Sequence, residues 1–102
     1  MLDLIENHRA QIAELCRRYR VKRLELFGSA ARGDFNPNTS DLDFFIEFLD
    51  YASPTIADQW FGLQEDLEKV LGHRVDFTSP RTATNPYFLQ VAGRHRVTLY
   101  AA

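Results

Sequence analysis

The sequence predicts an α/β fold, a small mixed sheet of about four strands with flanking helices. Three observations carry that expectation. Apolar residues recur at helical spacing over about residues 2–18 and again over 53–72. Short runs rich in Val, Leu and Phe follow or separate these helical stretches. Glycine, proline and asparagine punctuate the junctions. A chain of 102 residues with 45% hydrophobic content holds material for one modest core and not for two, so 1–102 reads as a single domain.

Taken in order, Leu2, Ile5, Ile12, Ala13 and Cys16 mark the first helix, about residues 2–18. "VKRLELFG" is a short strand stopped by Gly28. A loop with Gly33, Asn36, Pro37 and Asn38 leads into "DLDFFIEFLD", a second strand whose "FFI" run expects cover on both faces. "SPTIADQWFGLQEDLEKVLG" is a second helix, with Ser53 as its cap, Pro54 in its first turn and Gly72 at its end. Its apolar stripe is Leu63, Leu67, Val70 and Leu71. "RVDFTS" is a short third strand, "NPYFLQVAG" a short helix, and "RVTLYAA" a terminal strand or extended tail. Helical connections favour parallel neighbours, while the short loop between the first two strands favours an antiparallel pair; the sheet is therefore mixed.

Composition excludes several classes. With 12 basic and 14 acidic residues the net charge is −2, so grip on duplex nucleic acid by charge alone is not expected. The basic run "CRRYRVKR" reads as a solvated helix end. A single cysteine, Cys16, leaves no internal disulfide and no cysteine-based zinc cluster; its setting reads as a buried thiol. The start resembles no secretory leader and no stretch approaches the roughly 20 apolar residues of a membrane span, so a cytoplasmic protein with no membrane partner is expected. A core this small makes a homo-oligomer or a stable partner no surprise.

The chemistry centres on "FGSAARGDFNPNTSDLDFFIEF", residues 27–48. Asp41 and Asp43 differ by two, so in a strand their carboxylates leave the same face while Leu42 enters the core. Two such charges about 4 Å apart repel by roughly 4 kcal/mol at an effective dielectric near 20. A divalent cation removes that cost and gives the pair a use. Asp76, alternating with Val75 and Phe77, adds a third carboxylate if its strand lies beside that of Asp43. Three hard-oxygen ligands beside a phosphate site suit two Mg²⁺ ions, or Mn²⁺, acting on a nucleoside triphosphate. Gly28 and Ser29 supply the phosphate side through backbone N–H groups and a hydroxyl, with Arg32 within the same turn. Ser40 steadies the turn ahead of Asp41 and joins the nucleotide-binding set. His8, His73 and His95 read as surface or cap residues, because positioning and charge neutralisation carry such a transfer.

"GSAARGDFNPNTSDLDFFI" resembles the signature of the DNA polymerase beta-like nucleotidyltransferase superfamily. It is most similar to the minimal nucleotidyltransferases, the MNT or MntA-type antitoxins, and the resemblance extends to "RVDFTS" and "VTLY". It implies the polymerase beta-like nucleotidyltransferase fold. It also implies that Gly28, Ser29 and Arg32 hold nucleotide phosphates and that Asp41 and Asp43 ligate both metals. Asp76 would then bridge to the acceptor hydroxyl. The implied activity is transfer of AMP from ATP to a tyrosine of a HEPN-domain toxin, the partner this antitoxin would silence. The alternative is a nucleotide-binding antitoxin that neutralises by contact alone. Departures from the family pattern are a loop at 34–39 about one residue longer than in many members and a short basic tail after Gly93. An acceptor that is itself a macromolecule would meet exposed aromatics, for which Trp60 and Phe61 are the candidates.

Overall fold

The computed structural model describes residues 3–33, 36, 41–79 and 96–102. The helix expected over 2–18 is two pieces, α1 (Asp3–Asn7) and α2 (Arg9–Arg18), broken at His8. His8 sits at φ −118°, ψ 15°, and its N–H bonds the Ile5 carbonyl three residues back. The Leu4 carbonyl, which a continuous helix would pair with that N–H, is bonded instead by the His8 ring Nδ1 at 2.8 Å. His8 is thus a cap built within the chain, and the apolar stripe runs on because Ile5, Ile12, Leu15 and Cys16 are all buried in one core. Burial pushes the Cys16 thiol up to about 12.

β1 (Val21–Phe27), β2 (Leu42–Phe48), β3 (Val75–Thr78) and β4 (Val97–Ala101) form one sheet in the order β3-β2-β1-β4. β1 pairs antiparallel with both β2 and β4, and β2 pairs parallel with β3, so the sheet is mixed as expected. Val21 and Leu24 are three apart, yet both are buried; the register shift between Val21 and Arg23 absorbs the odd residue. One face carries Leu24, Leu26, Leu42, Phe44, Ile46, Phe48, Val75 and Phe77, joined in one core with Ile12, Leu15 and Cys16 of α2.

The parallel pair needs a crossover, supplied by α4 (Ile56–Leu71). Leu63, Leu67 and Leu71 lie on one stripe of it and complete the core. The helix begins after Ser53–Pro54–Thr55 rather than at Ser53. Thr55 is its N-cap, and the Ser53 hydroxyl accepts from the Thr55 N–H within the preceding turn. Gly72 ends it at φ 70°, its N–H bonded to the Glu68 carbonyl. The Tyr19 ring lies against Gly62, and its hydroxyl donates to the Asp66 carboxylate, tying the end of α2 to α4. That bond to Asp66 holds the Tyr19 hydroxyl above its ordinary pKa.

Of the two aromatics expected at the surface, Phe61 is 65% exposed. Trp60 is not a surface anchor. Its ring packs edge-on to Phe77 at 5.5 Å and tilted on Phe48 at 6.2 Å, because it is one residue round the helix and faces the sheet. The short helix expected at "NPYFLQVAG" lies outside the described residues, as do His95 and Ser40. Among the described residues no helix is long and apolar enough to cross a membrane.

Candidate active site

β1 ends at Phe27 and the chain turns directly into α3 (Gly28–Arg32). Gly28 makes the turn at φ 73°, in the left-handed region where a side chain is strained. Space imposes the same requirement, because a β-carbon on Gly28 would overlap the Asp43 Oδ2 and stand 3.2 Å from its Cγ. The glycine backbone therefore lies directly against the Asp43 carboxylate. Ser29 and Arg32 belong to the same helical turn, and their side chains lie outside the described residues.

Sheet register sets the rest. Asp43 stands opposite Phe27 across the antiparallel ladder and opposite Asp76 across the parallel one. Leu42 is paired with Val75 and Phe44 with Phe77, and all four are buried in the core. Asp43 and Asp76 therefore leave the sheet side by side on the opposite face, on strands roughly 4.8 Å apart. Asp43 is half-buried and Asp76 exposed. Asp41 is exposed one residue ahead of β2, and the neighbouring Leu42 N–H is fastened to the Arg74 carbonyl at 2.9 Å.

Of the three acids the sequence singles out, the ladder joins Asp43 with Asp76, while Asp41 stands at the mouth of the strand. Among the described residues no group of three or more His, Cys, Asp or Glu stands close enough to hold a metal ion. The donor chemistry nevertheless suits a hard divalent cation. Magnesium is commonly held by one or two carboxylates plus substrate phosphates rather than by an all-protein cage. A paired Asp43 and Asp76, with the backbone of the Gly28 turn beside them, is a donor set of that kind.

The same face carries a cluster that the sequence reading passed over. Phe27 and Phe45 meet edge to face at 5.9 Å, and the Arg96 guanidinium lies 5.0 Å above the Phe45 ring. Glu25, only 7% exposed, receives Arg96 at 3.4 Å and Arg23 at 4.0 Å. Its strand parity was the available signal: Glu25 is flanked by core residues Leu24 and Leu26 and is two residues from Phe27, so it must share the face of Asp43.

Comparison with known proteins agrees with the fold. The nucleotidyltransferase domain family matches residues 8–98. A Methanocaldococcus jannaschii chain named as a candidate protein adenylyltransferase is 34% identical over 85 residues, covering 83% of this chain and 80% of that one. A solved candidate minimal nucleotidyltransferase superposes with a TM-score of 0.75 at 31% identity, over 94% of this chain and 95% of that one. A complex of a tri-AMPylated Shewanella oneidensis HEPN toxin with its MNT antitoxin contains a chain of the same fold. Its TM-score is 0.64 at 18% identity, over 95% of this chain and 72% of that one. With a family match over most of its length, and a glycine turn set against an aspartate of the next strand, the chain belongs to the nucleotidyltransferase domain family.

Proposed function

We propose that this nucleotidyltransferase moves AMP from ATP to a tyrosine hydroxyl of a HEPN-type partner toxin, in a Mg²⁺-dependent reaction that silences the partner. The observation that carries the reading is the register of Asp43 on Asp76 with the Gly28 backbone against Asp43. Support for the acceptor comes from relatives named as candidate protein adenylyltransferases and from the fold shared with an antitoxin bound to an AMPylated HEPN toxin.

In this reading the triphosphate lies against the turn of Gly28, Ser29 and Arg32. Asp41, Asp43 and Asp76 hold the divalent ions, and Ser40 steadies the loop that enters β2. When bound, those ions offset the charge of the phosphates and ease ionisation of the acceptor hydroxyl. The hydroxyl oxygen then bonds to the α-phosphorus, the bond from that phosphorus to the bridging oxygen of the β-phosphate breaks, and pyrophosphate leaves. The hydroxyl proton passes to Asp76, the exposed carboxylate of the pair.

The test is incubation of the full chain with α-labelled ATP, Mg²⁺ and the product of the neighbouring gene. Label is expected on the partner and is lost in the D41A/D43A double variant, and also when the partner's tyrosine is changed to phenylalanine. Full neutralisation of the partner by the double variant, with no label moved, would overturn the enzymatic reading in favour of contact alone.

A further inference from the structure

An edge strand leaves alternate backbone groups without a neighbour. Among the described residues β3 is one edge of the sheet. The Arg74 carbonyl faces β2, where the Leu42 N–H donates to it at 2.9 Å, so the N–H and carbonyl of the next residue, Val75, face outward. Both are closed by side chains of α4. Gln64 Nε2 donates to the Val75 carbonyl at 2.8 Å, and the Val75 N–H donates to Glu68 Oε2 at 3.0 Å. Gln64 and Glu68 are four residues apart and so lie on one face of the helix.

The residue after Val75 is Asp76, and the Val75 carbonyl shares its rigid peptide plane with the Asp76 N–H. Among the described residues no hydrogen bond or ion pair reaches the Asp76 carboxylate, so what places this acid beside Asp43 is the position of its strand backbone. We propose that Gln64 and Glu68 are positioning residues for Asp76: a two-point clamp from α4 on the backbone of Val75 that holds the edge strand in register and aims Asp76 beside Asp43. The inference rests on the reading of Asp76 as a metal-holding carboxylate, and it adds residues from a helix that contributes no group to the site itself. It also explains why a four-residue edge strand can present a functional acid: side chains supply on the outer side what a fifth strand would have supplied.

Three variants of the full chain test it: Gln64→Leu, Glu68→Leu and Glu68→Gln, the last keeping an oxygen acceptor for the Val75 N–H. In the metal-free protein, amide exchange measured by NMR should quicken at Val75 in E68L and at Asp76 in Q64L. Leu24 and Leu26 of β1 should keep their protection in both. With Mg²⁺ and ATP, both leucine variants should need several-fold more Mg²⁺ for half-maximal transfer, and kcat should fall about tenfold, the loss expected of one missing oriented hydrogen bond. The KM for ATP should hold, and E68Q should recover most of both effects. Faster exchange at Val75 and Asp76 with an unchanged Mg²⁺ requirement would overturn the proposal by making the clamp merely structural. D76N separates the two ideas. If D76N is inactive while Q64L and E68L transfer as wild type, the clamp alone falls. If D76N is fully active, the role of Asp76 falls, and the catalytic consequence of the clamp with it.

Discussion

Gly28 carries two demands at once, one from the backbone and one from the site. Its φ of 73° alone costs a residue with a β-carbon about 1–2 kcal/mol. The β-carbon would also press on the Asp43 carboxylate, which stands 3.2 Å away at its Cγ. Gly28→Ala should therefore lower the unfolding free energy by about 1–3 kcal/mol, read from urea midpoints. It should also abolish AMP transfer at temperatures where the variant is still folded, since the carboxylate must move to make room. Cys16 shows the opposite case, a reactive group put out of use. It is fully buried, and its thiol stays protonated up to about 12, against an ordinary value of 9.0. Between those values the unfolded chain releases a proton that the folded chain keeps. This contribution to stability is complete below pH 9 and is lost as pH rises toward 12, at about 1.4 kcal/mol per pH unit. Urea midpoints between pH 9 and 11 should fall less steeply in Cys16→Ala than in wild type, and the native thiol should resist alkylating reagents at pH 8.

At the scale of elements, Gly72 is the control for Gly28. It has nearly the same φ, 70°, but a β-carbon there meets nothing within 4 Å. Gly72→Ala should cost about 1 kcal/mol of strain at the end of α4 and leave transfer unchanged. An activity loss as large as that of Gly28→Ala would mean that a left-handed glycine matters to the site even where no site atom meets its β-carbon. Gly72 is also an element boundary that could be read locally, from a helical stripe ending at a glycine. The break at His8 could not, because it depends on a ring nitrogen replacing a backbone donor at the Leu4 carbonyl, and no periodicity records that. The cap lies two residues beyond Ser53, at Thr55, for a similar reason: the Ser53 hydroxyl accepts from the Thr55 N–H in a turn before the helix. The candidate site divides in the same way. That Asp41 and Asp43 share a parity follows from the period of a strand. That Asp43 meets Asp76, thirty-three residues later, follows from the parallel register of two strands joined across α4, which local sequence does not record.

Across the whole molecule, one thin core supports a face that sets two acids side by side. The sheet buries Leu42, Phe44, Val75 and Phe77 on one side and on the other sets Asp43 beside Asp76, the two carboxylates whose mutual repulsion the proposed divalent cation would offset. A ligand that binds only the folded state adds about 2.7 kcal/mol at a hundred times its dissociation constant. In a domain of this size each kcal/mol moves the melting temperature by about 4–8 °C. Mg²⁺ with a non-hydrolysable ATP analogue should therefore raise the melting temperature by on the order of 10 °C, and EDTA should return it to the ligand-free value. Asp76→Asn gives the sign that separates a binding site from a structural pair. Relieved of its neighbour's charge, the ligand-free variant should melt no lower than wild type, yet most of the Mg²⁺-nucleotide shift should vanish. If the variant instead melted well below wild type and kept the full shift, the Asp43–Asp76 pairing would serve the fold and not the nucleotide, and the metal would have to be held elsewhere.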